Sequence, residues 1–175
     1  MENNFKYSSE DDKCYGIAGM AVGMVVWDCE NMLSSVSLDV PADESIEFAP
    51  EFYYAANQNL SAKVVWNKTL EHYQLYMGML ISNVVCRNMV LNRTFVGEKL
   101  KKQLYSCLEE EGKCSCSLET DEIKRLFDKN YEYVCRIFNH HGVQDIVRDF
   151  VLRLKQQRRL SRADVVEGLR ALSML

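Results

Sequence analysis

Few residues in this chain interrupt regular structure. Its 175 residues include only two prolines and eight glycines, the residues that most often end helices and mark turns. Pro41 and Pro50 bracket the one obvious loop, over residues 39–49. Because no alternating run bounded by turn residues predicts a strand, we expect the rest of the chain to be almost entirely helical.

The sequence also lacks a hydrophobic run long enough to cross a membrane. Its longest apolar stretch, YGIAGMAVGMVVW at residues 15–27, would span about 20 Å as a helix, against a hydrocarbon core of about 30 Å. Asp28 and Glu30 follow at once, and the residues before the run are acidic, unlike those of a secretory leader. We therefore expect a cytoplasmic protein with no membrane partner.

Motifs for the common chemistries are missing as well. The sequence contains no glycine-rich phosphate loop, no nucleophile elbow and no paired-carboxylate metal motif. His72 is a candidate base for a thiol on another helix, although a partly buried structural histidine is the commoner outcome. Whether the chain is an enzyme stays open, and a non-enzymatic role is favoured.

Seven cysteines leave at least one unpaired, and we expect free thiols in a reducing compartment. The best candidate metal ligands are Cys114, Cys116 and His140. Zinc usually takes cysteines in pairs roughly two to four residues apart, with two further ligands nearby. A Cys-x-Cys with a distant histidine fits this pattern poorly, so we predict no metal ion and no cofactor.

Helical periodicity dominates what is present. Residues 1–175 are predicted to form a single all-α domain, an irregular bundle of six or seven helices around a long central helix. The predicted segments are an acidic amino-terminal helix over residues 10–38, the loop over 39–49, a central helical region over 50–92 and carboxy-terminal helices over 94–174. Residues 75–90 are apolar on every side, which marks the central helix as surrounded by neighbours.

Individual helix boundaries follow from capping and breaking residues. Unbroken, the central helix would measure about 48 Å, so we expect either an elongated bundle or a break in this helix, with Gly78 and the Ser82–Asn83 pair as its weak points. Thr94 is expected to cap the next helix, which ends near Gly112. A later helix is expected to end at Gly142 in the left-handed conformation that glycine permits.

The first helix carries a flank of small residues. Gly16, Gly19, Gly23 and Trp27 lie on one side of it, apart from the apolar stripe that faces the core. Each interior glycine costs about 1 kcal/mol relative to alanine, so close approach of another backbone has to offset that cost. The second helix is either the chain's own central helix or the same helix of a partner molecule.

Charge is distributed unevenly along the chain. Residues 1–60 carry eleven acids against two lysines, whereas residues 61–175 carry nineteen bases against fourteen acids. The densest basic segment contains Arg148, Arg153, Lys155, Arg158, Arg159 and Arg162. Because the whole chain has a net charge of −4, pairing of this segment with the acidic amino-terminal part is favoured over binding to an external polyanion.

Nucleic acid remains a further alternative for the basic segment. A turn at Leu160 and Ser161, with Ser161 and Asp164 predicted to cap the last helix, suggests a helix-turn-helix. The glycine usual in that turn is missing, and Arg170 is the only base that follows Arg162. These features disfavour nucleic acid as a partner.

Function is not determined by these patterns. The surplus of apolar surface, which includes Tyr53, Tyr54, Tyr73 and Tyr76, favours a non-enzymatic helical protein that acts through its surfaces, either as a homo-oligomer or as an adaptor for a protein partner. The alternative is a small-molecule-binding or metal-binding bundle, in which the ligand lies between central helices.

Overall fold

The computed structural model describes residues 6–53 and 61–174. This part of the chain contains the elements α1 (Glu10–Val26), β1 (Leu33–Ser37), β2 (Ile46–Phe48), α2 (Pro50–Tyr53), α3 (Ala62–Cys86), α4 (Glu98–Cys116), α5 (Thr120–Asn139), α6 (His141–Gln157), β3 (Arg159–Ser161) and α7 (Arg162–Leu169). Short 3₁₀ segments lie at Glu30–Met32, Ala42–Glu44 and Arg170–Met174, and a π-helical turn, Arg87–Leu91, follows α3. The predicted class, a predominantly α-helical multi-helix bundle, is confirmed.

The predicted first helix over residues 10–38 is too long, because the chain leaves the helix at Val26. Asp28 adopts a left-handed φ of 52°, and the N–H of Cys29 donates to the carbonyl of Met24 at 2.8 Å. These two features close the helix in the manner of a Schellman end. Val36, which lies within the predicted helix over residues 10–38, is buried from strand β1 instead.

Three short strands form an antiparallel sheet in the order β2-β1-β3, so the prediction of no strand is wrong. Val36 at the centre pairs with Ile46 of β2 and with Leu160 of β3, and all three side chains are buried. Strands of three residues are too short to show an alternating pattern. Strand β2 lies within the predicted loop over residues 39–49.

Strand β3 also replaces the turn predicted at Leu160 and Ser161. It joins α6 directly to α7, and Ser161 and Asp164 form the expected capping box. Val165 and Leu169 of α7 are fully buried. Helix α7 therefore packs into the protein and does not stand out as a recognition helix.

Helix α3 is the central element, in contact with α1, α4 and α5. Of the two alternatives for the long central helix, a break at Gly78 or at Ser82–Asn83 is wrong, because α3 continues unbroken from Ala62 to Cys86. Those small residues make room for neighbouring elements: Gly78 lies under the ring of Trp27. The irregularity falls one turn later, at the π-helical turn. In the described ranges no helix combines the length and the apolar character needed to cross a membrane.

Helix α4 starts after Gly97 rather than at Thr94, and it runs past Gly112 to Cys116. A Cβ added at Gly112 would lie 2.5 Å from the hydroxyl oxygen of Tyr73. That hydroxyl is buried and donates to the carbonyl of Leu108 at 2.8 Å. Gly112 therefore permits close packing against α3 and does not end the helix.

Helices α5 and α6 meet at His140, whose extended φ and ψ of −77° and 123° end one helix and begin the next. Gly142 lies inside α6, and no glycine in the described ranges has a positive φ. The left-handed helix end predicted at Gly142 is therefore wrong. Both helices bury one apolar face, formed in α5 by Ile123, Phe127, Val134 and Phe138 and in α6 by Val143, Val147, Phe150, Val151 and Leu154.

Candidate functional site

The glycine flank of α1 packs against α3 of the same chain. A Cβ added at Gly19 would overlap the carbonyl oxygen of Ser82 and lie 2.7 Å from the Cβ of Cys86. A Cβ added at Gly23 would lie 3.0 Å from the Oγ of Ser82, and one at Gly16 would lie 2.5 Å from the ring of Tyr7. The helix that packs against this flank is therefore α3 of the same chain.

Trp27 connects this seam to the surface. Its indole ring covers Gly78, where an added Cβ would lie 3.1 Å from two ring carbons. The other side of Trp27 meets Tyr133 of α5 in an edge-to-face contact, with ring centroids 5.7 Å apart and planes at 82°. Tyr133 is 40% exposed, yet its contact with Trp27 fixes the orientation of its ring.

Basic residues of the carboxy-terminal segment pair largely with acids of the amino-terminal part. Lys155 binds Asp11 at 2.5 Å, Arg158 binds Glu10 at 2.9 Å and Asp39 at 2.5 Å, and Arg159 binds Glu47 at 2.6 Å. The remaining members of the segment bind nearer partners, Arg148 with Asp145, Arg153 with Asp164 and Arg162 with the carbonyl of Asn31. This pairing leaves little uncompensated positive charge for a polyanion to recognise.

The candidate metal ligands do not come together. Cys116 ends α4 and His140 follows the last residue of α5, and a helix of 20 residues separates them by about 30 Å. Cys114 is exposed, whereas the thiol of Cys116 is buried and donates to the carbonyl of Thr69 at 3.7 Å. Within residues 6–53 and 61–174, no three histidine, cysteine or acidic side chains form a metal-binding group.

Burial keeps most thiols protonated. It raises the pKa of Cys14 to about 11 and also raises the pKa of Cys29, Cys86, Cys107, Cys116 and Cys135. Because the thiolate is the nucleophile, these six cysteines are poorly suited to covalent catalysis at neutral pH.

His72 is occupied by stacking. Its ring lies parallel to that of Phe52, with centroids 4.8 Å apart and planes at 7°, and Phe52 stacks in turn on Phe48 of β2. Burial lowers the pKa of His72, which favours its neutral form. This arrangement supports a packing role, in which His72 holds the short helix α2 to the long helix α3.

A depression of about 490 Å³ lies over the outer face of the sheet. All three strands supply polar residues to it: Arg159 of β3 donates to Glu47 of β2 at 2.6 Å and to the hydroxyl of Ser35 of β1 at 3.0 Å. Ser35 donates in turn to Glu47 at 2.6 Å. These contacts satisfy one another and tie the three strands together, which is a structural role.

A different kind of surface surrounds Tyr133. Two adjoining depressions, of about 400 and about 320 Å³, share Val26, Tyr133 and Leu172 in their walls. We call them together the Tyr133 groove. Its apolar lining also includes Val25, Ile137, Val143, Val166 and Leu169, and Val166 is 39% exposed. The groove thus presents a largely apolar floor to solvent at the junction of α1, α5, α6 and α7.

Charges of opposite sign lie at the two ends of the Tyr133 groove. The first depression contains Asp28 and Glu30 with Arg170, and the second contains Arg136 and His140. Within the described ranges, neither Asp28 nor Arg136 forms an ion pair, although Arg136 lies 5.9 Å from the Tyr133 ring centre. These charges remain available to a partner, unlike those of the basic segment.

Sequence reasoning missed the Tyr133 groove. It gave Tyr133 no role, although Tyr133 lies beside the buried stripe of α5 rather than on it. An aromatic residue off the stripe is a usable signal for an exposed anchor. The position of Leu172 was harder to foresee, since it depends on the 3₁₀ turn that brings the end of the chain back towards α5.

Comparison with known proteins gives no functional assignment. No family model matches the chain, and no curated protein or solved structure matches it. Function therefore has to be inferred from the geometry of the chain itself.

Proposed function

We propose that this chain is a non-enzymatic helical scaffold protein that works through contact, and that the Tyr133 groove is the surface at which it binds a second copy of itself. The observation that carries the proposal is the combination of an apolar floor with unpaired charges of opposite sign at its two ends. The glycine flank of α1, whose partner the sequence left open, plays no part in this contact because α3 covers it.

A fixed aromatic anchor supports association at this place. Tyr133 rests on Trp27, which rests on Gly78 of the central helix. An anchor that is already ordered loses little side-chain entropy on binding, and tyrosine supplies a large contact area together with a polar tip. Val166 and Leu172 extend the apolar contact on either side of it.

The charge arrangement favours a second copy as the occupant. In a two-fold symmetric contact the same surface is used twice, so each feature of one molecule meets the opposite end of the other. The Asp28 end of one groove would then face the Arg136 end of the partner's groove, twice per dimer. Such complementarity guides orientation more than it adds affinity, and its effect weakens as salt rises.

Light scattering coupled to size exclusion tests the proposal. We expect wild-type protein at high micromolar concentration to elute with twice the chain mass. Tyr133→Glu should elute as a monomer, because a carboxylate at the centre of the contact would be desolvated without a partner. Tyr76→Glu on α3 is the matched control, since Tyr76 is 44% exposed against 40% for Tyr133, and it should remain dimeric.

A second matched pair guards against a folding artefact. Val166 and Val64 are each 39% exposed, but only Val166 lines the groove. We expect Val166→Glu to dissociate the dimer and Val64→Glu to leave it intact, with the helical circular dichroism of both variants unchanged. A wild-type monomer at high concentration would overturn the proposal. The same oligomeric state in both members of either pair of variants would overturn it as well.

A further inference from the structure

A separate cavity lies on another part of the surface, where the chain leaves α3. It has a volume of about 370 Å³, and its wall comes from the turn after α3, from the end of α5 and from the first turns of α6. It shares no lining residue with the Tyr133 groove. Cavities of this size are within the range that holds small organic ligands.

The lining of this cavity is positively charged. Arg93 and Arg148 contribute its charge, His141 and neutral polar side chains complete the wall, and none of the lining residues is acidic, although Asp145 pairs with Arg148 from outside the wall. The chain as a whole has a net charge of −4. A basic cavity in an acidic protein concentrates anions at one place while the rest of the surface repels them.

Arg93 is free to bind a ligand. Within the described ranges its side chain takes part in none of the ion pairs or hydrogen bonds, whereas Arg148 is already oriented by Asp145 at 2.7 Å and by the side-chain oxygen of Gln144 at 3.2 Å. Gln144 is itself fixed, because its amide donates to the carbonyl of Phe138 at 2.9 Å. Arg148 is therefore preorganised, although Asp145 offsets part of its charge, whereas Arg93 has no ion pair or hydrogen bond of its side chain within the described ranges.

The backbone holds Arg93 in an uncommon conformation. Its φ is 55°. Two hydrogen bonds that span more residues than an α-helical bond close the turn: the N–H of Asn92 donates to the carbonyl of Arg87 at 3.1 Å, and the N–H of Thr94 donates to the carbonyl of Asn88 at 3.0 Å. π-Helical turns and left-handed non-glycine residues cost energy and occur often at functional sites. Here they place Arg93 and Thr94 on the cavity wall.

Phe95 gives the cavity an aromatic edge. It is 82% exposed, whereas its neighbour Val96 is buried in the core and fixes this part of the turn. An exposed phenylalanine has no packing role that explains it, but an aromatic face beside cationic groups can stack on a planar ring. His141 and Gln144 also belong to the first turn of α6, whose dipole adds partial positive charge on the same side.

From this geometry we infer that the cavity binds a small phosphate ester that carries a planar ring, of the size of a nucleoside monophosphate. The phosphate binds between Arg93 and Arg148, where a fork of N–H donors matches its oxygens. The ring stacks on Phe95. The inference is independent of self-association, because the two surfaces share no residue.

Isothermal titration calorimetry with AMP, adenosine and inorganic phosphate tests the inference. We expect AMP to bind more tightly than adenosine or inorganic phosphate. Arg93→Gln should weaken AMP and phosphate binding by about tenfold or more, since a charge-assisted contact is lost. Phe95→Ala should weaken AMP binding but leave phosphate binding unchanged.

Arg125→Gln is the control, because Arg125 is an exposed arginine of α5, with 72% of its side chain accessible, and it does not line this cavity. It should bind AMP as the wild type does. Three results would each overturn the inference: no binding of AMP or phosphate, equal binding of AMP and adenosine, or an equal loss in Arg93→Gln and Arg125→Gln.

Discussion

Asp12 and Arg87 form the most buried ion pair among the described residues. Two bonds join them, at 2.5 and 2.6 Å, and their side chains are only 7% and 12% exposed. The N–H of Ser8 donates to the same carboxylate at 2.8 Å, and Arg87 also lies over the ring of Tyr7. This network fastens the start of α1 to the end of α3, at the residue where the π-helical turn begins.

Asp12→Asn should lower the free energy of unfolding by about 3 kcal/mol, because it removes the charge of a buried carboxylate that binds Arg87 through two hydrogen bonds. Asp121→Asn is the control: its pair with Arg125 is more than 70% exposed on both sides and should contribute less than about 1 kcal/mol. Urea unfolding at pH 7 measures both. An equal loss in the two variants would show that the buried pair has no special role.

The same pair predicts a pH dependence. Burial alone would raise the pKa of Asp12, but the hydrogen bonds from Arg87 and Ser8 outweigh it and lower the pKa below its usual value. A lowered folded-state pKa contributes stability that is present above the unfolded-state pKa, about 3.9, and is lost as the pH falls through the folded value. The stability difference between wild type and Asp12→Asn should therefore be constant from pH 7 to about pH 5 and shrink at lower pH. A difference that grows on acidification would contradict this assignment.

Thiol exposure gives a second prediction at this scale. Cys114 is exposed, while Cys14, Cys86 and Cys116 are buried. A thiol reagent at pH 8 should label Cys114 first and the three buried cysteines only on unfolding. Cys114→Ser should remove the fast phase. A fast phase that persists in this variant would show that a second thiol is accessible.

At the scale of elements, the seam between α1 and α3 is the main contact of the fold. Glycine is unfavourable inside a helix, and three glycines in α1 are tolerated because each brings α1 closer to a neighbouring group. The sequence predicted this close approach from spacing alone, since residues three and four apart share a helix face. It could not predict which helix would fill the space, because that depends on how distant segments meet.

Gly19→Ala tests whether helix propensity or packing against α3 decides the residue at this position. In an isolated helix alanine would gain about 1 kcal/mol over glycine, but here the new Cβ overlaps the Ser82 carbonyl. We therefore expect a net loss of about 1–3 kcal/mol in thermal or urea unfolding, without a change in oligomeric state. Gly97→Ala is the control, because an added Cβ there meets nothing within 4 Å; it should cost less than about 1 kcal/mol. A Gly19→Ala variant that is more stable than the wild type would contradict the close packing of α1 against α3 at Gly19.

The errors in the predicted elements have a common origin. Met32 and Val36 continue the apolar period of α1, yet the left-handed Asp28 ends the helix and β1 draws Val36 into a sheet with residues more than 100 positions away. Local pattern cannot report such a pairing. Gly112 and Gly142 were read as helix ends from residue type alone, whereas packing against Tyr73 and the extended His140 decide those positions.

At the scale of the whole molecule, two oppositely charged parts of the chain pair with each other. The acidic amino-terminal part and the basic carboxy-terminal segment neutralise each other through Asp11, Glu10, Asp39 and Glu47, an outcome that the charge asymmetry of the sequence predicted. Among the charged residues that form no ion pair within the described ranges are Asp28 and Arg136 in the Tyr133 groove and Arg93 in the separate cavity. These sites could not be predicted from sequence, because each combines residues from at least three separate elements.

The central claim is a two-fold contact at the Tyr133 groove, and exchange of charges between its ends tests that claim most directly. Asp28→Lys makes both ends basic and Arg136→Glu makes both ends acidic, so each variant alone should repel its own copy and be monomeric in light scattering. When the two folded variants are mixed, opposite charges face each other again, and we expect a species of twice the chain mass. Two monomers that stay monomeric on mixing, or two variants that each remain dimeric alone, would contradict the account.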